Sequence, residues 1–461
     1  MGFDLQFLGA TGEVTGSLYL LRTESHKVLL ECGLIQGSSE NEERNHDAFP
    51  FAIGEIDAVV LSHAHIDHSG RVPLLVKRGY DGPVYVQNAT LALCEIMLPD
   101  SGHLNERDAE WENRRRRRKG KSLVKPLYTL EDAERSLEQF RGVRYEENVE
   151  IVPGLTLRFH DAGHILGSTI VELTNAGAKG SRTLVFSGDL GYRDAPVMNQ
   201  PARIEHADAV LLESTYGDRL HRPITDTLEE LADVFEMARA AQGNILIPAF
   251  TVGRTQDLLY LMAEHYDRWK LDNWQIYLDS PMAIEATKTY SQFRDLYGAE
   301  LFKPGTSRPD LPNLHITRTP EESMGINDIE SGAIIIAGSG MCSGGRILHH
   351  LKNNVWRPEC HLVIVGFQAY GTLGRKLLDG ADMIRLFGDE YRVRIRTHTI
   401  GGLSAHADQA DLISWYGGFR DKPPVYLVHG ESVAQKVLAA TMRDKLRAPV
   451  SIARRSQIIS I

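Results

Sequence analysis

The sequence predicts an α/β protein of two compact units, and three observations carry that prediction. At 461 residues the chain is too long for one simple core, because a single core stops growing at roughly 250–300 residues. The first half is dominated by short apolar runs of strand length, whereas from about Glu213 strand, loop and helix alternate. That second rhythm is the one a parallel sheet with crossover helices produces. The polar residues of interest fall directly after strands throughout, where open α/β architectures place their ligands.

In chain order, the strands expected in the first half are Leu5 to Leu8, Ser17 to Leu21, Lys27 to Leu30, Ala58 to Leu61, Val84 to Gln87, Leu155 to His160, Thr169 to Leu173 and Thr183 to Ser187. Few helices are legible there. Gly70 to Gly79 is one, with Pro73 tolerated in a first turn and Gly79 as its stop. Further on, Asn244 to Pro248 precedes a helix at Arg254 to His265, and Gln275 to Asp279 precedes one at Pro281 to Phe293. Ala333 to Ala337 leads into Gly345 to Asn353, and His361 to Gly366 into Gly371 to Leu378. Prolines and glycine mark Phe302 to Pro312 as a loop.

Hydrophobic content of 42% and charged content of 24% are those of an ordinary globular protein. No apolar run approaches the roughly 20 residues a membrane helix needs, and Met1-Gly-Phe-Asp-Leu-Gln-Phe-Leu opens as a strand with no basic segment before it. A cytoplasmic protein without a membrane partner is therefore expected. Cys32, Cys94, Cys342 and Cys360 are widely separated with no C-x-x-C pair, and read as buried thiols rather than a disulfide framework. The formal charge of −10 points away from polyanions, but charge is patchy. Arg114-Arg-Arg-Arg-Arg118-Lys119-Gly-Lys121 is strongly basic, and Arg392, Arg394 and Arg396 alternate, which on a strand puts all three on one face. Either segment could face a phosphate backbone, but Glu106, Asp108, Glu110 and Glu112 precede the arginine run closely and favour a solvated helical or loop insertion.

The densest chemistry lies at Ser62-His-Ala-His-Ile-Asp-His-Ser69, directly after the apolar run ending at Leu61. A buried strand that releases His63, His65, Asp67 and His68 together has little structural reason to do so. Imidazole and carboxylate at this density suit zinc or a similar divalent ion, and exceed what one tetrahedral ion can use. Two further pieces match it: His164 in Asp161-Ala-Gly-His-Ile-Leu-Gly-Ser168, and Asp189 in Phe186-Ser-Gly-Asp-Leu-Gly191.

HxHxDH, GHxxGS and SGD in this order resemble the metallo-β-lactamase fold, in which two layers of sheet hold a two-metal centre. Leu212 to His221, Leu403 to Asp408 and Leu427 to Glu431 resemble motifs A, B and C of its β-CASP branch of RNA and DNA nucleases. Ile247 to Phe250, Leu278 to Met282, Gly338 to Arg346 and Gly371 to Gly374 are similar to that branch too. The likeness is to its short bacterial RNA-degrading members, themselves similar to the nuclease subunit of the pre-mRNA 3′-end cleavage machinery. It implies an αββα sandwich over residues 1–213 and 396–461, with an α/β β-CASP domain over 214–395 inserted between them.

Carried over residue by residue, the resemblance implies His63, His65 and His164 on one ion, Asp67, His68 and His429 on the other, and Asp189 bridging both. The expected cofactor is two zinc ions per chain, with manganese or magnesium able to serve. Asp67, Glu213 and His406 are implied to act in catalysis, His406 as the proton donor to the departing oxygen and Glu213 as its carboxylate partner. Asp408 is expected either to share in this or to begin a helix. Glu31 stands where the family usually has an aspartate that supports the ligands from behind, and its extra methylene bears on their orientation. The loop around Ser339, Gly340, Met341 and Gly344, with Arg346, is expected to hold a phosphate at a strand-to-helix junction, and Gly371 and Arg375 to join it in binding substrate. His160, His221 and His398 are expected to be structural rather than metal ligands, with His221, in the motif A stretch, left open as a neighbour of the substrate.

The implied function is a metal-dependent ribonuclease acting on single-stranded RNA, internally, from the 5′ end, or both, with a homodimer left open. The rivals are another hydrolase on the same scaffold, a DNA-directed nuclease, and a nucleic-acid-binding subunit without catalysis.

Overall fold

Alternation along the strands decides how the first unit is built. In the computed structural model, which describes residues 2–177, 180–298, 301–302, 309–366, 368 and 371–461, Leu155, Leu157 and Phe159 of strand Leu155–Asp161 point into one buried cluster. Neighbouring strands send Val171, Leu173, Leu184, Phe186 and Leu211 into that cluster, and Ile170, Val185, Val210 and Leu212 into a second on the opposite face. A sheet apolar on both faces must be covered on both. One cover is a second sheet, whose Leu5, Phe7, Tyr19, Leu21, Val28, Leu30 and Val60 complete the first cluster. Helices Gln409–Tyr416 and Ser432–Leu446 contribute Leu412, Tyr416, Leu438 and Met442 to the other.

Both sheets have seven strands. The first runs Ile458–Ser460, Asp4–Phe7, Tyr19–Arg22, Lys27–Leu30, Ala58–Val60, Val84–Gln87, Phe140–Val143, so the last strand of the chain pairs with the first. The second runs Val450–Ile452, Val425–Leu427, Ala209–Leu212, Gly180–Phe186, Thr169–Gly177, Leu155–Asp161, Asn148–Val152. A helix of 31 residues, Asn88–Arg118, lies against strands Val84–Gln87 and Phe140–Val143 and helix Leu130–Leu137. The arginine run forms the mostly exposed last turns of that helix. All four cysteines are buried free thiols, as expected.

The chain divides into Met1–Arg193, Gln200–Leu220 and His406–Ile461 as one unit, and Asp194–Asn199 with His221–Ala405 as the other. The second unit carries a six-stranded, wholly parallel sheet in the order Leu314–Ile316, Gln275–Leu278, Ala333–Ala337, Ile245–Pro248, His361–Ile364, Arg396–Thr399. Its alternation of strand and helix is the one the sequence predicts. Residues 396–405 stay with this unit rather than with the return segment, because Arg396–Thr399 pairs alongside His361–Ile364. Arg392, Arg394 and Arg396 do not share a strand face: Asp389–Arg392 closes a hairpin with Met383–Leu386, and the chain leaves it before Arg396 begins the next strand. Among the described residues no helix is long and apolar enough to cross a membrane.

Asp279, at the carboxyl end of Gln275–Leu278, anchors the second unit's loops. Its buried carboxylate accepts hydrogen bonds from Thr317 Oγ1 (2.5 Å), Ser323 Oγ (2.6 Å), His350 Nε2 (2.6 Å) and Arg346 Nη1 (2.7 Å). Burial opposes its charge, but these donors outweigh burial and hold the carboxyl well below the usual range. A carboxyl depressed in the folded state stabilises above its unfolded pKa of about 3.9, and that contribution is lost as the pH falls further. Urea midpoints should change little between about pH 6 and pH 5 and then fall for the parent as the pH is lowered from about 5 to about 2. The Asp279→Asn variant should be less stable at neutral pH by about 3 kcal/mol and show a flatter dependence.

Candidate metal centre

Every residue of the predicted cluster sits where a strand of the sandwich ends. Ala58–Val60 delivers His63 and His65, and then Asp67 and His68 on the short helix Ile66–Ser69. Leu155–Asp161 delivers His164, Gly180–Phe186 delivers Asp189, Ala209–Leu212 delivers Glu213, and Val425–Leu427 delivers His429. The loops pack closely enough to demand glycine: a Cβ on Gly33 would lie 1.6 Å from the Asp67 carbonyl oxygen. That approach lets Cys32 and Leu34 donate backbone hydrogen bonds to His68 and Ile66 at 2.8 Å each, fixing the ligand-bearing turn.

The side chains meet in four overlapping groups, two of which also draw in Glu31 and Glu213. One ligand atom each from His63, His65, His164 and Asp189 lie within 4.8 Å of one another, and the same holds for Asp67, His68 and His429. His65 Nδ1 is 3.0 Å from His63 Nε2 and 3.2 Å from His164 Nε2, while His68 Nε2 is 3.2 Å from His429 Nε2. Asp189 Oδ2 lies 3.6 Å from His63 Nε2, 3.7 Å from His164 Nε2 and 3.4 Å from His68 Nε2. Its Oδ1 is buried with no hydrogen-bond partner, 3.5 Å from His429 Nδ1. An orphaned carboxylate oxygen among converging imidazole nitrogens fits a divalent cation, since the donors are neutral nitrogen and anionic oxygen.

Electrostatics agrees with the donor set at His63, His65 and the two aspartates, whereas at His68 burial is outweighed by Asp189, Asp67 and Glu31, which raise the pKa. Burial holds His63 well below its ordinary pKa and His65 down to about 4, so both stay neutral, the ligating form. Burial opposes the charge of Asp189, but His429, His68 and His406 outweigh it and keep the carboxyl ionised. Asp67 is brought down to about 2, burial being overcome by His68 and His429.

Three groups stand behind the ligands. Glu31 Oε2 meets His68 Nδ1 at 2.7 Å while Oε1 accepts from the Ser62 amide at 2.6 Å. Ser62 Oγ is 3.0 Å from His63 Nδ1, and Thr215 Oγ1 is 3.1 Å from His429 Nδ1. For His63 and His68 the contact occupies the ring nitrogen that faces away from the other ligands, whereas His429 Nδ1 also lies 3.5 Å from Asp189 Oδ1. Sequence reasoning misses Ser62 and Thr215. Their only signal is a hydroxyl one residue before a ligand and another two residues after the motif A carboxylate.

His406 comes to the rim by backbone pairing, in a bridge with Gly191 and with the Ala407 amide donating to Leu190 at 2.7 Å. Its Nδ1 is 3.3 Å from Glu213 Oε1 and 3.8 Å from Asp189 Oδ2. Burial disfavours the imidazolium, but Glu213 and Asp189 outweigh it and push the pKa up to about 9. Asp408 begins helix Gln409–Tyr416, its carboxylate accepting from the Asp411 amide at 2.9 Å.

The residues expected to bind substrate belong to the second unit. Arg346 donates to Asp279, to the Thr317 carbonyl (3.2 Å) and to the Arg318 carbonyl (2.7 Å). Arg375 pairs with Asp379 at 2.9 Å. In the glycine loop Ser339 Oγ accepts from Ser343 and Gly344, the Met341 carbonyl from Gly374, and the Gly340 carbonyl from Gln368. These donors serve the loop's own shape. Gly371 lines a cavity of about 590 Å³ with Ser343, Lys376, Met383 and Phe387. His160 is held between Glu146 (2.7 Å) and Glu172 (3.2 Å), and His398 stacks on His361 across adjacent strands.

A two-sheet sandwich that gathers histidines and aspartates at its strand ends, interrupted by a parallel-sheet unit, defines a metallo-hydrolase. Residues 11–249 match the metallo-β-lactamase superfamily, 255–377 the Beta-Casp domain, and 390–453 the Zn-dependent metallo-hydrolase RNA specificity domain. The chain belongs to the metallo-β-lactamase superfamily, in its β-CASP branch. It is 40% identical to Ribonuclease TTHA0252 of Thermus thermophilus over 97% of each chain. It is 30% identical to the transcription termination factor FttA of Methanococcus maripaludis, over 97% of this chain and 70% of that one. A crystal structure of a protein of unknown function from Enterococcus faecalis covers 100% of both chains with a TM-score of 0.55 at 12% identity, a likeness of fold alone.

In a Glu31→Gln variant the side-chain oxygen can still accept from Ser62, but the amide would then donate to His68 Nδ1. That moves the ring proton to Nε2, the nitrogen facing the other ligands. Metal affinity, measured by competition with a chromogenic chelator, should fall roughly 10–100-fold while the circular dichroism spectrum stays that of the parent.

Proposed function

We propose that the protein is a metal-dependent ribonuclease that hydrolyses phosphodiester bonds of single-stranded RNA at a two-zinc centre. The observation that carries this reading is the joining of Glu213 and His406 to the ligand cluster through Asp189, because a centre for lactams or thioesters has no need of a half-buried imidazole held by a carboxylate at its rim. The RNA specificity domain match and the relative named a ribonuclease support the substrate.

His63, His65 and His164 would hold one ion, Asp67, His68 and His429 the other, and Asp189 both. Two ions so held supply an acidified water and positive charge opposite the phosphate oxygens. The chain's own residues do the rest. Asp189 keeps its charge in a buried setting and fixes the spacing of the two ligand groups. Asp67 stays ionised at neutral pH. His406, with Nδ1 turned to Glu213, carries its other ring proton on Nε2, and this is the proton for the departing ribose oxygen. Cleavage within the strand and from its 5′ end are both open to such a centre. RNA labelled at either end, with 5′-monophosphate or 5′-hydroxyl, separates them by ladder against mononucleotide products.

His406→Ala should lower kcat on RNA by about 10²–10⁴-fold with unchanged metal content. A substrate whose leaving oxygen is replaced by sulfur needs no proton, and should recover most of the loss. Thorough chelation should abolish cleavage and zinc should restore it, whereas cleavage that survives metal removal overturns the mechanism.

A further inference from the structure

The far end of helix Asn88–Arg118 carries charge that the fold does not use. Arg114 pairs with Glu110 (3.9 Å), and Arg115 and Arg116 pair with Glu112 (3.5 Å each). Arg117, Arg118, Lys119, Lys121 and Lys125 are exposed and have no carboxylate partner among the described residues. Cations in a last turn favour the helix dipole by roughly 0.3–1 kcal/mol, which accounts for arginines within the helix but not for Lys121 and Lys125 beyond it. On a chain of net charge −10 this tip is a local inversion of sign.

The tip is also built rather than frayed. The Asn113 side chain brackets Val124, donating to its carbonyl at 2.9 Å and accepting from its amide at 2.8 Å, and Arg116 Nε donates to the Ser122 carbonyl at 2.6 Å. This folds Lys121 and Lys125 back beside the helix. One turn before the basic run, Trp111 is 60% exposed, with the Arg115 guanidinium 4.8 Å from its ring. Cations interleaved with an exposed aromatic surface are what a flexible phosphate backbone with unpaired bases fits.

The helix also fixes where such an RNA segment would lie. At its start Thr90 Oγ1 donates to the Gly167 carbonyl at 2.6 Å, in the loop that carries His164. The helix has 31 residues, so at 1.5 Å per residue its far end lies up to roughly 45 Å from that loop.

We infer that this tip is a second binding surface for single-stranded RNA, gripping the strand by its phosphates far from the scissile bond. The inference rests on the ribonuclease reading. It predicts an effect that depends on substrate length, since a short RNA at the centre cannot reach the tip.

The test compares the zinc-loaded parent with a quadruple variant, R117Q/R118Q/K119Q/K121Q, and a charge-preserving control, R117K/R118K. For an RNA of about 40 nucleotides the quadruple variant should show a KM raised roughly tenfold at unchanged kcat, with the salt dependence of log KM shallower by about 0.7 for each phosphate no longer neutralised. For an RNA of about five nucleotides, within one short binding site, KM should be that of the parent. The charge-preserving control should behave as the parent on both. Equal KM values for parent and quadruple variant on the long RNA overturn the inference, as does binding of the tip to anionic phospholipid vesicles with RNA affinity unaffected. If the parent cleaves neither RNA, it is the ribonuclease reading that fails.

Discussion

The buried carboxylate of Asp189 is the constraint on which the rest of the centre depends. A carboxylate taken out of water is costly unless positive charge or donors compensate it. Here imidazoles from four segments do so: His63 and His68 after one strand, His164 after another, and His406 and His429 from the last part of the chain. One oxygen faces several rings and the other is left without a hydrogen bond. Such an arrangement is satisfied by a cation shared between two ligand groups, which is why the geometry and the chemistry point the same way.

Bringing those segments together is a matter of strand order. The strand Ala209–Leu212 pairs in parallel with Val425–Leu427, Leu212 opposite Leu427, so Glu213 and His429 emerge from neighbouring strands although a whole unit separates them in sequence. The bridge between Gly191 and His406 sets the last imidazole beside Asp189 in the same manner. The centre therefore depends on non-local pairings, and closes only after the inserted unit has been passed.

What the sequence could not convey follows from how signals arise. Apolar strand runs and the clustered histidines announce themselves, because burial and metal ligation select residue types at short spacing. The helix Asn88–Arg118 does not: its buried residues, among them Leu93, Cys94, Met97 and Leu98, lie mostly in its first half, and in the mostly polar second half only Ala109 is buried. Helix Leu130–Leu137 is marked only by the capping pair Thr129 and Asp132, and the strands Phe140–Val143 and Asn148–Val152 by mixed residues with partly exposed faces. Alternating arginines from 392 to 396 imitate a strand that the hairpin ends early. Arg346, so placed in its loop as to suggest a phosphate, is taken up by Asp279 and two carbonyls. Spacing in sequence names a residue's chemistry but not the partner that has already claimed it.

Glu31 shows the same limit from the other side. At the sequence level its extra methylene bears on ligand orientation. In the structure its amide still pairs with the Val60 carbonyl at 2.9 Å, extending the strand Lys27–Leu30, while its backbone is left-handed at φ 64°. For a non-glycine residue that costs roughly 1–2 kcal/mol. The conformation carries both carboxylate oxygens to partners held by the next strand's turn, the Ser62 amide and His68 Nδ1. A charge-assisted hydrogen bond is worth about 1.5–3 kcal/mol, so the two bonds together offset the backbone cost. With Nδ1 engaged, His68 turns Nε2 toward His429 and Asp189. The longer side chain thus reaches the ligand through the backbone geometry that accompanies it, and residue size alone, read without φ, says little about whether a supporting carboxylate can reach its histidine.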